Sequence, residues 1–257
     1  MSGFTEDALS CNAFLGGRLR LWQPMRGYRA GVDPMFLAAS VPARGGQTVL
    51  ELGCGAGAAL LALAARVPGL HLSGLELQPA YADLARRNLS ENAMEGEVIE
   101  GNLADLPHGL RQRQFDHVIA NPPYYRPGRY SPARDDGRRT ALGEATPLAT
   151  WIEVATRRLV HGGLLHMIQK ADRLPDMLSA CDDRLGSLEV LPLAARSGRA
   201  AELVILRARK GGRTPFRLHA PLILHEGDHH LRDEEHYRPA IRAVLRDGAA
   251  LPWPQGI

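Results

Sequence analysis

The chain predicts an α/β fold: a mostly parallel, seven-stranded sheet with helices on both faces. Three observations lead there. From residue 47 onward short apolar runs alternate with longer stretches of helical spacing, the pattern of repeated βα units. A glycine-rich turn, Gly53-Cys-Gly55-Ala-Gly57, separates the first of these runs from the helix behind it. A later run stops at Asn121-Pro-Pro-Tyr124, because two prolines cannot continue a central hydrogen-bonded ladder.

Residues 1–46 read as a leader that packs on the core. It holds short apolar pieces broken by Gly16, Gly17, Pro24 and Gly27, then a helix over 34–40 and a punctuated link, Pro42-Ala-Arg-Gly-Gly46. Residues 47–210 read as the core. Its first strand covers 49–52 and its first helix 58–66, stopped by Pro68-Gly69; a second strand covers 70–75, and Pro79 opens a helix through 89. A short third strand is expected at 98–99 and a fourth at 115–120. After an arginine-rich polar stretch, 147–159 has helical spacing, His161-Gly-Gly163 makes a turn, and a fifth strand follows at 164–168. A helix over 174–185 precedes strands at 188–193 and 202–207, a pair placed where such sheets usually carry an antiparallel edge. Residues 211–257 read as an extension of the same domain, poor in periodicity, with one extended piece at 221–224.

A chain of 257 residues, 45% apolar and 23% charged, is globular in composition and long enough to bury one sizeable core. Its longest uncharged apolar stretch, residues 52–65, is too short to cross a bilayer and contains three glycines. The first ten residues carry Glu6 and Asp7 and show no secretory pattern, so no membrane role is expected and a cytoplasmic location is the default. Cys11, Cys54 and Cys181 are far apart, and His225, His229, His230 and His236 lack ligand spacing; no metal is expected. The net charge of +3 favours a polyanionic partner only weakly. Its distribution says more: Arg126, Arg129, Arg134, Arg138 and Arg139 crowd one segment, with Asp135 and Asp136 among them.

The glycine turn follows a strand and precedes a helix, the setting in which such a turn holds a nucleotide. Gly53 and Gly55 would let the backbone approach a ligand, and Gly57 would let helix and strand pack closely. Glu76 ends the second strand, where a carboxylate can accept both ribose hydroxyls of an adenosine cofactor; alone it could equally be a solvated strand-end charge. A dinucleotide would put its diphosphate on the helix N-terminus. Glu51, just before Gly53, would repel that anion and could instead help to hold a cationic amino-acid group. Cys54 reads as a small loop side chain, since no neighbouring base is visible to activate it.

Asn121-Pro-Pro-Tyr124 ends the fourth strand on the edge of the sheet that also carries the glycine turn, where ligands bind in open α/β sheets. An amine conjugated to a heterocycle or carbonyl is a poor nucleophile. Two acceptors, the Asn121 side-chain oxygen and the Pro122 carbonyl, would orient it and stabilise the positive charge that develops as it is alkylated. Tyr124 offers a face for a planar group, and Tyr125 follows it. No general base is required, because the alkylated nitrogen is acidic and can lose its proton to solvent.

The sequence Glu51-Leu-Gly-Cys-Gly-Ala-Gly57, with an acid at Glu76, resembles the first motifs of the Rossmann-like class I S-adenosylmethionine-dependent methyltransferases, and Asn-Pro-Pro-Tyr resembles that of their amino-methyltransferase members. The resemblance implies S-adenosylmethionine held by Glu51, Gly53, Cys54, Gly55, Gly57, Glu76, Asn102 and Asn121, with Asn121, Pro122 and Tyr124 catalytic. A leader with Gly31-Val-Asp33 and a tail with Pro221-Leu-Ile-Leu-His225-Glu226 are most similar to the bacterial enzymes that methylate N6 of an anticodon-loop adenine in valine tRNA. That implies an RNA partner met by Tyr124, Tyr125, Arg126, Arg129, Arg138 and Arg139, although the arginine segment is also compatible with a solvated loop. The family often has an acid where this chain has Asn102, with Asp105 three residues on. Guanine N2 in ribosomal RNA and glutamine N5 in protein are the alternative acceptors, and a non-catalytic RNA-binding protein of this fold is the non-enzymatic one. Trp22 and Trp151 read as packing residues, and Tyr28, near Asp33, as a candidate lining of the cofactor pocket.

Overall fold

The computed structural model describes residues 3–124, 146–227 and 236–254. The leader forms an antiparallel hairpin, β1 (Leu9–Phe14) and β2 (Leu19–Pro24), paired from Leu9 opposite Pro24 to Phe14 opposite Leu19. Leu19 and Leu21 are fully buried while Arg20 between them is exposed, the alternation of a half-buried strand. Gly16 and Gly17 belong to the hairpin's own turn, and Gly27 lies beyond the end of β2. Gly16 has φ of 66°, and a Cβ there would lie 2.6 Å from the Arg246 carbonyl oxygen, so only glycine fits. Helix α1 (Asp33–Ser40) follows, with Pro34 in its first turn as expected.

The repeating part runs β3 (Thr48–Leu52), α2 (Ala58–Arg66), β4 (His71–Glu76), α3 (Pro79–Glu91), β5 (Glu97–Glu100), α4 (His108–Arg111) and β6 (Phe115–Ala120). It continues with α5 (Leu148–Arg158), β7 (Leu159–Lys170), α6 (Leu174–Ala180), β8 (Leu185–Ala194) and β9 (Leu203–Lys210). These seven strands lie in the order β5-β4-β3-β6-β7-β9-β8, all parallel except β9, which is antiparallel to both neighbours. Two further two-residue strands, β10 (Arg217–Leu218) and β11 (Leu222–Ile223), pair with β8 and bring the sheet to nine rather than seven.

Three local expectations are corrected. His161-Gly-Gly163 is a bulge inside β7, where the pairing with β6 shifts register and Gly162 has φ of 82°. Helix α6 ends at Ala180 instead of reaching 185, because β8 begins there. The tail contains an unforeseen helix, α7 (Pro239–Asp247), with Ile241 and Val244 buried and Gly248 in the left-handed conformation after its last turn.

Both faces of the sheet are covered. Val118 and Ile119 are adjacent on β6, point to opposite sides, and are both fully buried. One face packs Leu60, Leu61, Ile119, Ile168 and Ile205 together with Leu19 and Leu21 of the hairpin and Ile241 of α7; the other packs Leu50, Val118, Ile152, Leu165 and Leu206. Among the described residues no helix is long and apolar enough to cross a membrane.

Candidate active site

A cavity of about 280 Å³ opens at the carboxyl ends of β3, β4 and β6. Its floor is the turn between β3 and α2. Gly53, Gly55 and Gly57 have φ of 65°, 53° and 85°, and a Cβ on Gly53 would come within 2.5 Å of the Trp151 ring. The chain therefore turns sharply enough to leave space above Gly55, whose nearest neighbour on that side is the Tyr28 ring. Cys54 is buried against Gly74 and burial pushes its thiol well up, which leaves it a packing residue, as its sequence context indicates.

The two acids behave differently. Glu51 is buried, and its Oε2 accepts the Leu60 backbone N–H at 2.9 Å, satisfying one of the free donors of the first turn of α2. Burial pushes its carboxyl up to about 8, opposed by that hydrogen bond and assisted by Glu76. Glu76 accepts the backbone N–H groups of Gly55 (2.8 Å) and Gln78 (2.9 Å), one on each oxygen, and burial again raises it. Asn102 lines the cavity, but its Oδ1 accepts the Ala104 N–H at 2.8 Å, which leaves its amide donors for a ligand. Asp105 is not among the cavity residues; it is exposed and paired with Arg111.

Asn121, Pro122, Pro123 and Tyr124 enter the cavity from the end of β6, facing the glycine turn. Each is held from outside the loop. The Asn121 amide donates to the Tyr28 hydroxyl at 3.4 Å, and the Tyr124 hydroxyl donates to Asp33 Oδ2 at 2.6 Å. The amide of Gln169, on β7, donates to the carbonyls of Pro122 (3.3 Å) and Pro123 (3.4 Å). Tyr28 is fixed in turn by the Tyr81 hydroxyl, which accepts its N–H (2.9 Å) and donates to its carbonyl (3.2 Å). Lys170 Nζ stands 6.0 Å over the Tyr124 ring.

The structure thus brings Glu51, Gly53, Cys54, Gly55, Glu76, Asn102, Asn121, Pro122 and Tyr124 around one cavity. Gly57 sits just behind it as the left-handed residue that caps the start of α2. Tyr125, Arg126, Arg129, Arg138 and Arg139 lie outside the described residues, as do His229 and His230. Trp151 packs in the core, as read, but its ring also forms a cavity wall; Trp22 lies under the Arg87 guanidinium. Asp33 and Gln169 were not recognised as site residues. The signal for Asp33 was the Gly-x-Asp segment; Gln169 carried none, since one amide in a strand is unremarkable until its partners are known.

The lining suits S-adenosylmethionine. Three carboxyl groups, Asp33, Glu51 and Glu76, face the space, while its two guanidinium groups are engaged: Arg29 with Ser10, Asn12 and the Pro24 carbonyl, Arg173 with Asp176. Asp33 and Glu76 supply the negative charge, which attracts a sulfonium and an ammonium group and repels a diphosphate, while Glu51, protonated below about pH 8, adds a buried polar group. Glu76 at a strand end beside Gly55 is placed for ribose hydroxyls. Among the described residues no group of three or more His, Cys, Asp or Glu is arranged for a metal.

Comparison with known proteins agrees. Residues 31–191 match the family model of the methyltransferase small domain. The chain is 28% identical over 204 residues to a tRNA1(Val) (adenine(37)-N6)-methyltransferase of Actinobacillus succinogenes, covering 77% of this chain and 84% of that protein. It is 30% identical over 187 residues to the ribosomal RNA small subunit methyltransferase C of Escherichia coli, of which it spans about half, 48%, with 71% of this chain matched. Among solved structures it is similar to a predicted O-methyltransferase, protein Atu636 from Agrobacterium tumefaciens, at a TM-score of 0.70 and 30% identity, covering 85% of this chain and 97% of that one. With more than half of its length inside the family model, and with the cavity that such a cofactor requires, the chain belongs to the methyltransferase small domain family and is an S-adenosylmethionine-dependent methyltransferase.

Proposed function

We propose that the protein methylates the exocyclic N6 of adenine in RNA, an unstacked loop adenine of tRNA being its substrate. The observation that carries this is the opening of Asn121-Pro-Pro-Tyr124 into the same cavity as Gly55 and Glu76. S-adenosylmethionine supplies an electrophilic methyl group there. Asn121 and the Pro122 carbonyl accept the two N–H bonds of the incoming amine, so that its lone pair faces the methyl and the charge developing on nitrogen is met by two oxygens. The Tyr124 ring, anchored by Asp33, stacks on the base. The proton leaves the methylated nitrogen for solvent. The carboxylates of Asp33 and Glu76 hold the cationic cofactor, with Glu51 a neutral polar group beside them.

The names of the tRNA and ribosomal RNA relatives support an RNA acceptor. A single-stranded base reaches such a pocket at lower unstacking cost than a paired one. The arginines that follow Tyr124 in sequence, Arg126, Arg129, Arg138 and Arg139, supply cations for phosphates. Incubating the enzyme and labelled cofactor with unmodified total tRNA and, separately, ribosomal RNA, followed by nucleoside mass spectrometry, tests the reading. The expected product is labelled N6-methyladenosine in tRNA. Labelled methylguanosine in ribosomal RNA would move the assignment to the other relatives, and label in protein glutamine with none in RNA would overturn it.

A further inference from the structure

We propose that Gln169 is a positioning residue for methyl transfer, the group that fixes the direction of the Pro122 carbonyl. This rests on the amine-clamp reading of Asn121 and Pro122.

The need arises from the sequence of the loop. Beyond Ala120 the backbone leaves β6 through two prolines, which have no N–H to give to a neighbouring strand. That stretch can be held to the sheet only through its carbonyls. Gln169 does this. It is fully buried one residue before the end of β7, the strand paired with β6. Its Oε1 accepts the Lys170 backbone N–H at 2.8 Å, and that bond turns Nε2 toward the loop. The two hydrogens on Nε2 then meet two carbonyls, Pro122 at 3.3 Å and Pro123 at 3.4 Å. Both distances lie just beyond the usual range of about 2.7–3.2 Å for N–H···O bonds, so each is a weak bond and the pair together sets the carbonyl direction. A carbonyl oxygen has two lone pairs, so Gln169 occupies one and leaves the other for an N–H of the substrate amine.

Filling core volume alone does not require an amide here. A methionine would occupy similar space without needing hydrogen-bond partners. What only the amide provides is a fixed acceptor direction, and displacement of a reacting group by about 1 Å costs on the order of a hundredfold in rate.

The test uses Gln169→Met and Gln169→Glu, with Asn121→Ala as the control for the clamp itself. Turnover under saturating cofactor and unmodified tRNA, KM for tRNA, and the affinity for S-adenosylhomocysteine are measured for each. Gln169→Met is expected to lower kcat roughly ten- to a hundredfold, with KM and S-adenosylhomocysteine affinity unchanged. In Gln169→Glu the protonated acid can still donate to a proline carbonyl, whereas the ionised acid repels both. Its kcat relative to the wild type's at the same pH should therefore fall as pH rises through the introduced carboxyl's pKa, while its relative S-adenosylhomocysteine affinity stays flat. If Asn121→Ala abolishes turnover but Gln169→Met keeps wild-type kcat, the positioning role is overturned and the clamp stands. If Asn121→Ala itself turns over normally, both fall. Should Gln169→Met fail to fold, the pH profile of Gln169→Glu decides, and a profile parallel to the wild type's overturns the role.

Discussion

At the carboxyl ends of β4 and β6, two side chains take different parts in the proposed function. Glu76 touches the glycine turn, whereas Asn121, on the facing side of the cavity, touches Tyr28. Glu76→Ala should weaken S-adenosylhomocysteine binding at least tenfold by calorimetry, about 1.4 kcal/mol. Asn121→Ala should spare that binding and lower kcat by about a hundredfold or more. Equal losses of both quantities in the Asn121 variant would assign it to cofactor binding instead. Glu51 makes a different prediction. Its folded carboxyl is pushed up to about 8, so between the ordinary carboxylate range and pH 8 the folded protein retains a proton that the unfolded chain has released. Stability therefore declines as pH rises through that window. Glu51→Gln keeps an acceptor for the Leu60 N–H and removes the titration. Its melting temperature should exceed the wild type's by a margin that widens from about pH 5 to pH 8 and then levels off; a margin independent of pH would contradict the assignment. Asn121 was legible in sequence because it heads the Asn-Pro-Pro-Tyr motif, and Glu76 because it ends the second strand, on the edge that carries the glycine turn. Asp33 and Gln169 act on Tyr124 and on the prolines from 91 and about 46 residues away, and that proximity exists only in the folded chain.

Among the elements, the parallel βα units were legible because their strands are buried on both faces and read as continuous apolar runs between glycine and proline stops. The hairpin was less so. Its turn passes through left-handed φ at Leu15, Gly16 and Gly17, and in sequence those glycines look like loop punctuation. Helix α7 was missed although Pro239 and Gly248 bracket it, because arginines fill its outer face and only Ile241 and Val244 are fully buried. It is nonetheless part of the core, packed on α1 and on the hairpin turn. Ile241→Ala should cost roughly 2–5 kcal/mol in urea unfolding. A loss below about 0.5 kcal/mol, the range of surface substitutions, would show that α7 is an appendage.

For the molecule as a whole, the amino-end half of the sheet carries a second buried polar feature, remote in chemistry from the cavity. His117 and His166 face one another with ring centroids 6.3 Å apart, and burial lowers both, His117 to about 4 and His166 well below its ordinary value. The unfolded chain protonates them near 6.5, so it binds more protons than the folded protein as pH falls from there toward 4, and stability falls with pH across that interval. His117 alone amounts to about 3 kcal/mol. About 2 kcal/mol of this falls between pH 7 and pH 5, so urea midpoints at pH 7, 6 and 5 should drop, and a His117→Leu, His166→Leu double variant should show a flatter dependence; the same slope in both proteins would rule the pair out as its source.

The docking of Gly16 beneath the Arg246 carbonyl has a consequence for the order in which the molecule becomes competent. Arg246 follows Gly16 by 230 residues, counted as 246 minus 16. At about 5–20 residues per second, a ribosome reaches it roughly 10–50 seconds after Gly16. During that interval the hairpin has no α7 to seat on. Tyr28, after the hairpin, and Asp33, the first residue of α1, hold Asn121 and Tyr124. A nascent chain therefore carries its glycine turn, β6 and β7 well before the segment that covers the hairpin turn has been synthesised.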